Sequence, residues 1–218
     1  MAEFKKFVKL LEQTDGRDKI LKALAGVMKV LASADFCQER TTAYKTIGKS
    51  IGDARSLLRM MKWAGDVPKM QTTLRESKAK GKITLQDLLK FLRVLCNFLY
   101  VLGDNVAFIA RHKLLALQHK TVHYKAKTAQ FWGFFLAAVL DVIAMYGALQ
   151  KRVTDPAASK KEAKAALINL VKDASDTLVT MAFVGYMRGV WRPTPGTSGA
   201  LTAVSGAVAT YLNWNKIK

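Results

Sequence analysis

The stretch FWGFFLAAVLDVIAMYGAL, residues 131–149, sets the strongest limit on how this chain folds. It contains one charge, Asp141, near its middle. As a helix at roughly 1.5 Å per residue it reaches about 28 Å, close to the ~30 Å hydrocarbon core of a bilayer. Its strongly apolar side chains, at about −0.3 to −0.6 kcal/mol each, contribute roughly −3 to −5 kcal/mol, and the central Asp returns about +2.5 to +3.5. Insertion of this segment alone is therefore marginal and depends on neighbours that keep Asp141 out of lipid. Phe131, Trp132, Phe134 and Phe135 crowd one end, Tyr146 lies near the other, and Lys125, Lys127, Lys151 and Arg152 flank both. That is the pattern of a segment anchored at two interfaces. The competing reading is a buried helix of a soluble bundle with Asp141 paired inside.

Charge decides what the rest of the chain meets. The 218 residues carry 35 Lys and Arg against 16 Asp and Glu, a net +19, while 50% are apolar and the mean hydropathy is +0.07. A chain both apolar and basic needs a polyanionic partner, either nucleic acid or the anionic face of a membrane. The apolar content favours the membrane. Cys37 and Cys96 lie far apart with neither C-x-x-C nor metal spacing, which predicts a reducing compartment and no disulfide framework. The opening MAEFKKFVKLLEQ is charged and amphipathic, so a secretory route is not expected. The closing NKIK is neither S-K-L nor K-D-E-L.

Residues 3–33 read as one or two amphipathic helices with a break at Thr14 to Gly16, where Thr14 or Asp15 serves as N-cap. Phe4, Phe7, Val8, Leu10 and Leu11 make a first apolar face, and Ile20, Leu21, Leu24, Val27, Met28 and Leu31 a second. Core packing is the expected fate of both.

Residues 44–63, YKTIGKSIGDARSLLRMMKW, are the most informative polar stretch. Tyr44, Ile47, Ile51, Leu58 and Met61 fall on one helical stripe, and Lys45, Lys49, Arg55, Arg59 and Lys62 on the neighbouring face, opposed only by Asp53. A basic face beside an apolar one suits a helix lying in a membrane interface. Gly48 and Gly52 each cost about 1 kcal/mol of helix propensity and predict a helix that is weak in water.

Residues 64–82 read as a polar loop or short charged helix. The next helix begins at Thr84, with Asp87 three residues on as a capping box. Its uncharged core, 94–103, is too short to cross a bilayer and predicts a buried or interfacial helix. His119 and His123 are spaced for one helix face but have no third ligand at suitable spacing. In the tail, residues 178–191 and 200–214 are two short apolar segments, the first interrupted by Arg188. Gly185 and Gly189 in one, and Gly206 between Thr202 and Thr210 in the other, have the four-residue spacing of close helix contacts in membranes. A re-entrant hairpin or second short span is expected there, with these glycines as candidate oligomer contacts. Asp141 and Arg188 are the polar residues expected inside the membrane.

In order, DGRDK at 15–19, GDARSLLRMMKW at 52–63, FLYVLGDNVAFIAR at 98–111, the apolar run around Asp141 and the closing WRPTPGTSG at 191–199 resemble the peroxin-11 family. The Tyr100 to Asn105 stretch is the sharpest match, and the DGRDK wording is most similar to the kinetoplastid versions, whose microbodies are glycosomes. The resemblance covers most of the chain. It implies a peroxisomal or glycosomal membrane protein that elongates the organelle and promotes its proliferation and division by inserting a basic amphipathic helix, here residues 44–63. It also implies work alongside division machinery such as a dynamin-like GTPase and fission adaptors.

The expected fold is all-α, a helical integral membrane protein with N-terminal amphipathic helices and one or two membrane-spanning or re-entrant segments. Its expected parts are an amphipathic region facing cytosol and membrane surface (1–110), a basic linker (111–130), a candidate transmembrane helix (131–149), a basic polar linker or helix (150–177) and an apolar C-terminal membrane segment (178–218). No phosphate loop, nucleophile elbow, carboxylate pair or metal spacing points to an enzyme, a cofactor or a metal. The partners expected are an anionic phospholipid membrane and further copies of the chain, with no nucleic acid. The alternatives are a membrane pore for small metabolites and a soluble basic nucleic-acid-binding bundle.

Overall fold

A computed structural model describes residues 1–34, 37–79 and 81–217, and the backbone alone of Ala2. The chain is all-helical, with eight α-helices among the described residues: α1 (Ala2–Glu12), α2 (Thr14–Ala34), α3 (Gln38–Leu58), α4 (Asp66–Ala79), α5 (Leu85–Arg111), α6 (His119–Gln150), α7 (Pro156–Val184) and α8 (Pro195–Trp214). They divide into two compact units, one of Met1–Arg59 with Gly185–Lys218, the other Met60–Val184.

In the first unit, α2 is the central helix, packed against α1, α3 and α8. Its contact with α8 is made by residues without bulk. A Cβ on Gly26 would lie 2.3 Å from the Ala203 nitrogen, and one on Gly206 would lie 2.4 Å from the Ala23 nitrogen. The two backbones therefore meet where only glycine fits. Inside this contact Lys22 Nζ donates to Ser205 Oγ at 2.7 Å. In the tail, α8 packs against α2, and its small-residue stripe lies in that contact.

The second unit is built on α5, α6 and α7, with α4 against α5. Its core is Tyr100, Val101 and Ala126, with Trp63 and Ala129 packed on it. The Thr84 capping box is present, with Thr84 Oγ1 accepting from the Asp87 N–H at 3.1 Å and Asp87 Oδ2 accepting from the Thr84 N–H at 3.3 Å. The stretch 64–82 folds mostly into the charged helix α4.

Three expected boundaries move. The linker 111–130 shrinks, because α6 starts at His119 and its basic first turns are helical. The boundary at 177/178 disappears, because α7 runs unbroken from Pro156 to Val184 through a sequence free of internal Gly and Pro. The second apolar candidate also shifts from the tail to α5. Among the described residues, α5 and α6 are the helices long and apolar enough to cross a membrane. Asp104 is buried, and the helix continues to Arg111.

Candidate membrane-contact site

The N-terminal unit contains most of the residues expected to touch lipid. Asp18, on the first turns of α2, is 1% exposed. Its Oδ1 accepts from Arg55 Nε at 3.0 Å and Arg59 Nη1 at 3.3 Å, and its Oδ2 accepts from Lys19 Nζ at 2.9 Å. Burial alone would raise this carboxyl, but the Lys19, Arg55 and Arg59 charges outweigh burial and hold it well below the ordinary carboxylate range. DGRDK and GDARSLLR, two stretches that carried the family resemblance, are thus joined by one ion-pair cluster.

This cluster changes the basic face expected of residues 44–63. Arg55 and Arg59 turn to Asp18, while Lys45 and Lys49 remain exposed. Tyr44, Ile51 and Leu58 are half-buried, and Ile47 is exposed. The single helix expected over 44–63 ends at Leu58, with Met61 left-handed at φ 61° and Lys62 in a short 3-10 turn, Lys62–Gly65. The cause lies in the second unit: the Met61 N–H donates to Asn105 Oδ1 at 3.1 Å and Trp63 sits edge-on to Phe98. Gly48 and Gly52 do not interrupt α3.

The first apolar face goes the other way from expectation. On α1, Leu10 is buried against Gly16, but Phe4, Phe7, Val8 and Leu11 are exposed, Phe4 at 70%. They fall at i, i+3, i+4 and i+7, a continuous apolar stripe, with Lys5 and Lys9 also exposed. On α2, Leu24, Val27 and Leu31 are exposed as well, while Ile20, Leu21 and Met28 are half-buried. The spacing of α1 carried the signal for this face, but an eleven-residue helix has only its neighbours to decide whether the face is covered.

In the second unit, Asp141 is buried beside Asp173 of α7, with the Lys172 and Arg93 charges close by, and its Oδ2 has no hydrogen-bond partner among the described residues. Lys172 in turn donates to Asp173. The buried residues of the 131–149 run are Phe131, Ala137, Leu140 and Ala148 with the single polar Asp141, while Trp132, Phe135, Val142, Ile143, Tyr146 and Leu149 are exposed. Arg188 and both tail glycines of the first pair lie outside any helix. Gly185 follows the end of α7 at φ 83° and Gly189 lies in the following turn, with Arg188 exposed between them. Their four-residue spacing is not a helical face, because the helix stops at Val184.

Comparison with curated proteins and with solved structures gives no match. The sequence model of the family described as Peroxisomal biogenesis factor 11 (PEX11) matches residues 4–214, nearly the whole chain. With that match and two apolar helices of spanning length, the chain belongs to the PEX11 family, peroxisomal membrane proteins of organelle proliferation and division with a structural role.

Proposed function

We propose that this chain remodels and elongates the peroxisomal membrane by shallow insertion of amphipathic N-terminal helices into one leaflet, with α1 as the leading element. The observation that carries this reading is the exposed stripe of Phe4, Phe7, Val8 and Leu11. Four such side chains leaving water are worth several kcal/mol, at roughly 1.5–3 for each one fully transferred. Lys5 and Lys9 beside them add up to about 1 kcal/mol each on an anionic surface. A helix this short is marginal in water and is stabilised where its apolar face is covered. On α3, Lys45 and Lys49 supply further attraction and Ile47 an apolar contact. Half-buried Tyr44, Ile51 and Leu58 add to it only where α3 leaves its packing, while Met61, beyond the end of α3, is exposed. Self-association and recruitment of division machinery, such as a dynamin-like GTPase and fission adaptors, complete the proposed role.

The test is tubulation of anionic giant vesicles by the full-length protein. Phe4→Ser with Phe7→Ser should abolish tubules while leaving membrane anchoring intact. Unchanged tubulation would remove α1 from the mechanism.

The second reading, a pore for small metabolites, draws support from the buried Asp141 and Asp173 with half-buried Lys172 and exposed Arg93 close by in the second unit. Solute-selective conductance that disappears in Asp141→Leu would favour it.

A further inference from the structure

The second unit contains a cavity of about 410 Å³ that the membrane-shaping role does not use. It lies among α4, α5, α6 and α7, and its volume falls in the roughly 300–1,000 Å³ range of small-molecule sites. Four cations line it, Lys69, Lys90, Arg93 and Lys172, against two acids, Asp66 and Asp173. Both acids are already satisfied. Lys69 Nζ donates to Asp66 Oδ1 at 2.8 Å, Asn97 Nδ2 donates to Asp66 Oδ2 at 2.6 Å, and Lys172 donates to Asp173. Lys90 and Arg93 have no direct ion pair among the described residues, and Asp141, an acid outside the lining, is within reach of the Arg93 charge but not in contact with it. Four positive charges less two negative leave the lining at +2.

We propose that this cavity binds a phosphomonoester dianion, held by Arg93 and Lys90 at the junction of α4, α5 and α7. A phosphomonoester carries about −1.5 to −2 at neutral pH, which matches the surplus of the lining, whereas a phosphodiester carries a single charge. The Arg93 guanidinium presents a fork suited to two phosphate oxygens, and Lys90 a mobile point charge. Asn97 and the two acid–lysine pairs hold the wall in place. From α6 the lining takes Gln130, Gly133 and Phe134. Those residues share its turns with Phe131, Trp132 and Phe135. A lipid phosphomonoester and a small phosphorylated metabolite carry the same head chemistry.

The experiment is calorimetric titration of the detergent-solubilised full-length protein with three probes: short-chain phosphatidic acid, short-chain phosphatidylglycerol and glycerol 3-phosphate. Phosphatidic acid should saturate one site and bind at least roughly tenfold more tightly than phosphatidylglycerol. Lys90→Gln with Arg93→Gln should weaken it by a similar factor, and Lys160→Gln with Lys161→Gln, two exposed lysines on α7, should not. Glycerol 3-phosphate binding as tightly as phosphatidic acid would support the site and make its ligand a soluble metabolite. Much weaker binding would support the site and make its ligand a lipid. Equal affinity of the unmodified protein for phosphatidic acid and phosphatidylglycerol overturns the proposal without any variant. Undiminished binding by the folded double variant overturns it equally.

Discussion

Asp18 and Arg55 lie 37 residues apart in sequence and meet at 3.0 Å, the carboxylate almost completely buried and the guanidinium Nε on its Oδ1. Arg59, the residue that caps the end of α3, reaches the same oxygen. This pairing fastens α3 to α2 and removes two cations from the basic face expected of residues 44–63.

Breaking a buried pair by removing one partner leaves uncompensated charge and typically costs about 3–5 kcal/mol. Asp18→Asn should therefore lower the thermal stability of the protein by an amount in that range. The same carboxyl gives the pH dependence its sign. Its folded pKa is depressed, so its stabilisation is fully present above the unfolded value of about 3.9 and is lost as pH falls through that value towards the folded one. Acid unfolding followed by circular dichroism should show a component below about pH 4 in the unmodified protein that is missing in Asp18→Asn.

Charge reversal on α3 should separate two roles that the sequence merges. Lys45→Glu with Lys49→Glu should weaken binding to anionic vesicles, most visibly at low salt, and leave the melting temperature nearly unchanged. Arg55→Glu with Arg59→Glu should lower the melting temperature first, because it sets like charges around buried Asp18. Vesicle sedimentation and thermal denaturation of both pairs check this. Equal melting temperatures would mean that the Asp18 cluster does not hold the unit together.

What the sequence made legible was local. The Thr84 and Asp87 capping box needs residues three apart and is found as expected. The break between α1 and α2 falls at Gln13, and Thr14, expected as an N-cap, is already the first residue of α2. The Asp18 cluster is hidden in the sequence because its partners are 37 and 41 residues away, and an Asp near a helix start is by itself a common favourable charge. The apolar stripe of α3 runs on in phase through Met61, so periodicity extends that helix; a distant acceptor, Asn105, ends it. The tail glycines showed that some backbone approaches closely, but spacing cannot tell a second copy from α2 of the same chain.

The glycines of the α2 and α8 contact should accordingly behave unlike those of α3. Gly26→Ala or Gly206→Ala places a methyl group against backbone, and overpacking of this kind costs roughly 1–3 kcal/mol. Gly52→Ala meets open space on a helix and should stabilise by up to about 1 kcal/mol. Chemical denaturation of the three variants checks the contrast. If Gly206→Ala keeps full stability but loses crosslinked oligomers, the glycine faces another copy, as its spacing first suggested.

The register of α5 on α6 decides which of the two apolar helices is centred in the bilayer. Gly103 lies against Ala126 and Gly133 against Cys96, so the helices run antiparallel and Lys90 lies about level with Val139. The charge-poor run of α5, residues 94–110, is therefore displaced along the hairpin from the 131–149 run of α6 by roughly 20 Å, too far for both to be centred in a ~30 Å slab. The aromatic ends and longer uncharged stretches of α6 favour that helix. With 131–149 centred, Ile109 lies beyond the hydrocarbon layer although it sits in the most apolar part of α5. A single cysteine at Ile109, in a chain whose own Cys37 and Cys96 are replaced by Ser, should react with a water-soluble maleimide added to permeabilised organelles. One at Val139 should stay protected until detergent is added. Protection at both positions would mean that the hairpin slides or opens in the membrane so that α5 crosses as well.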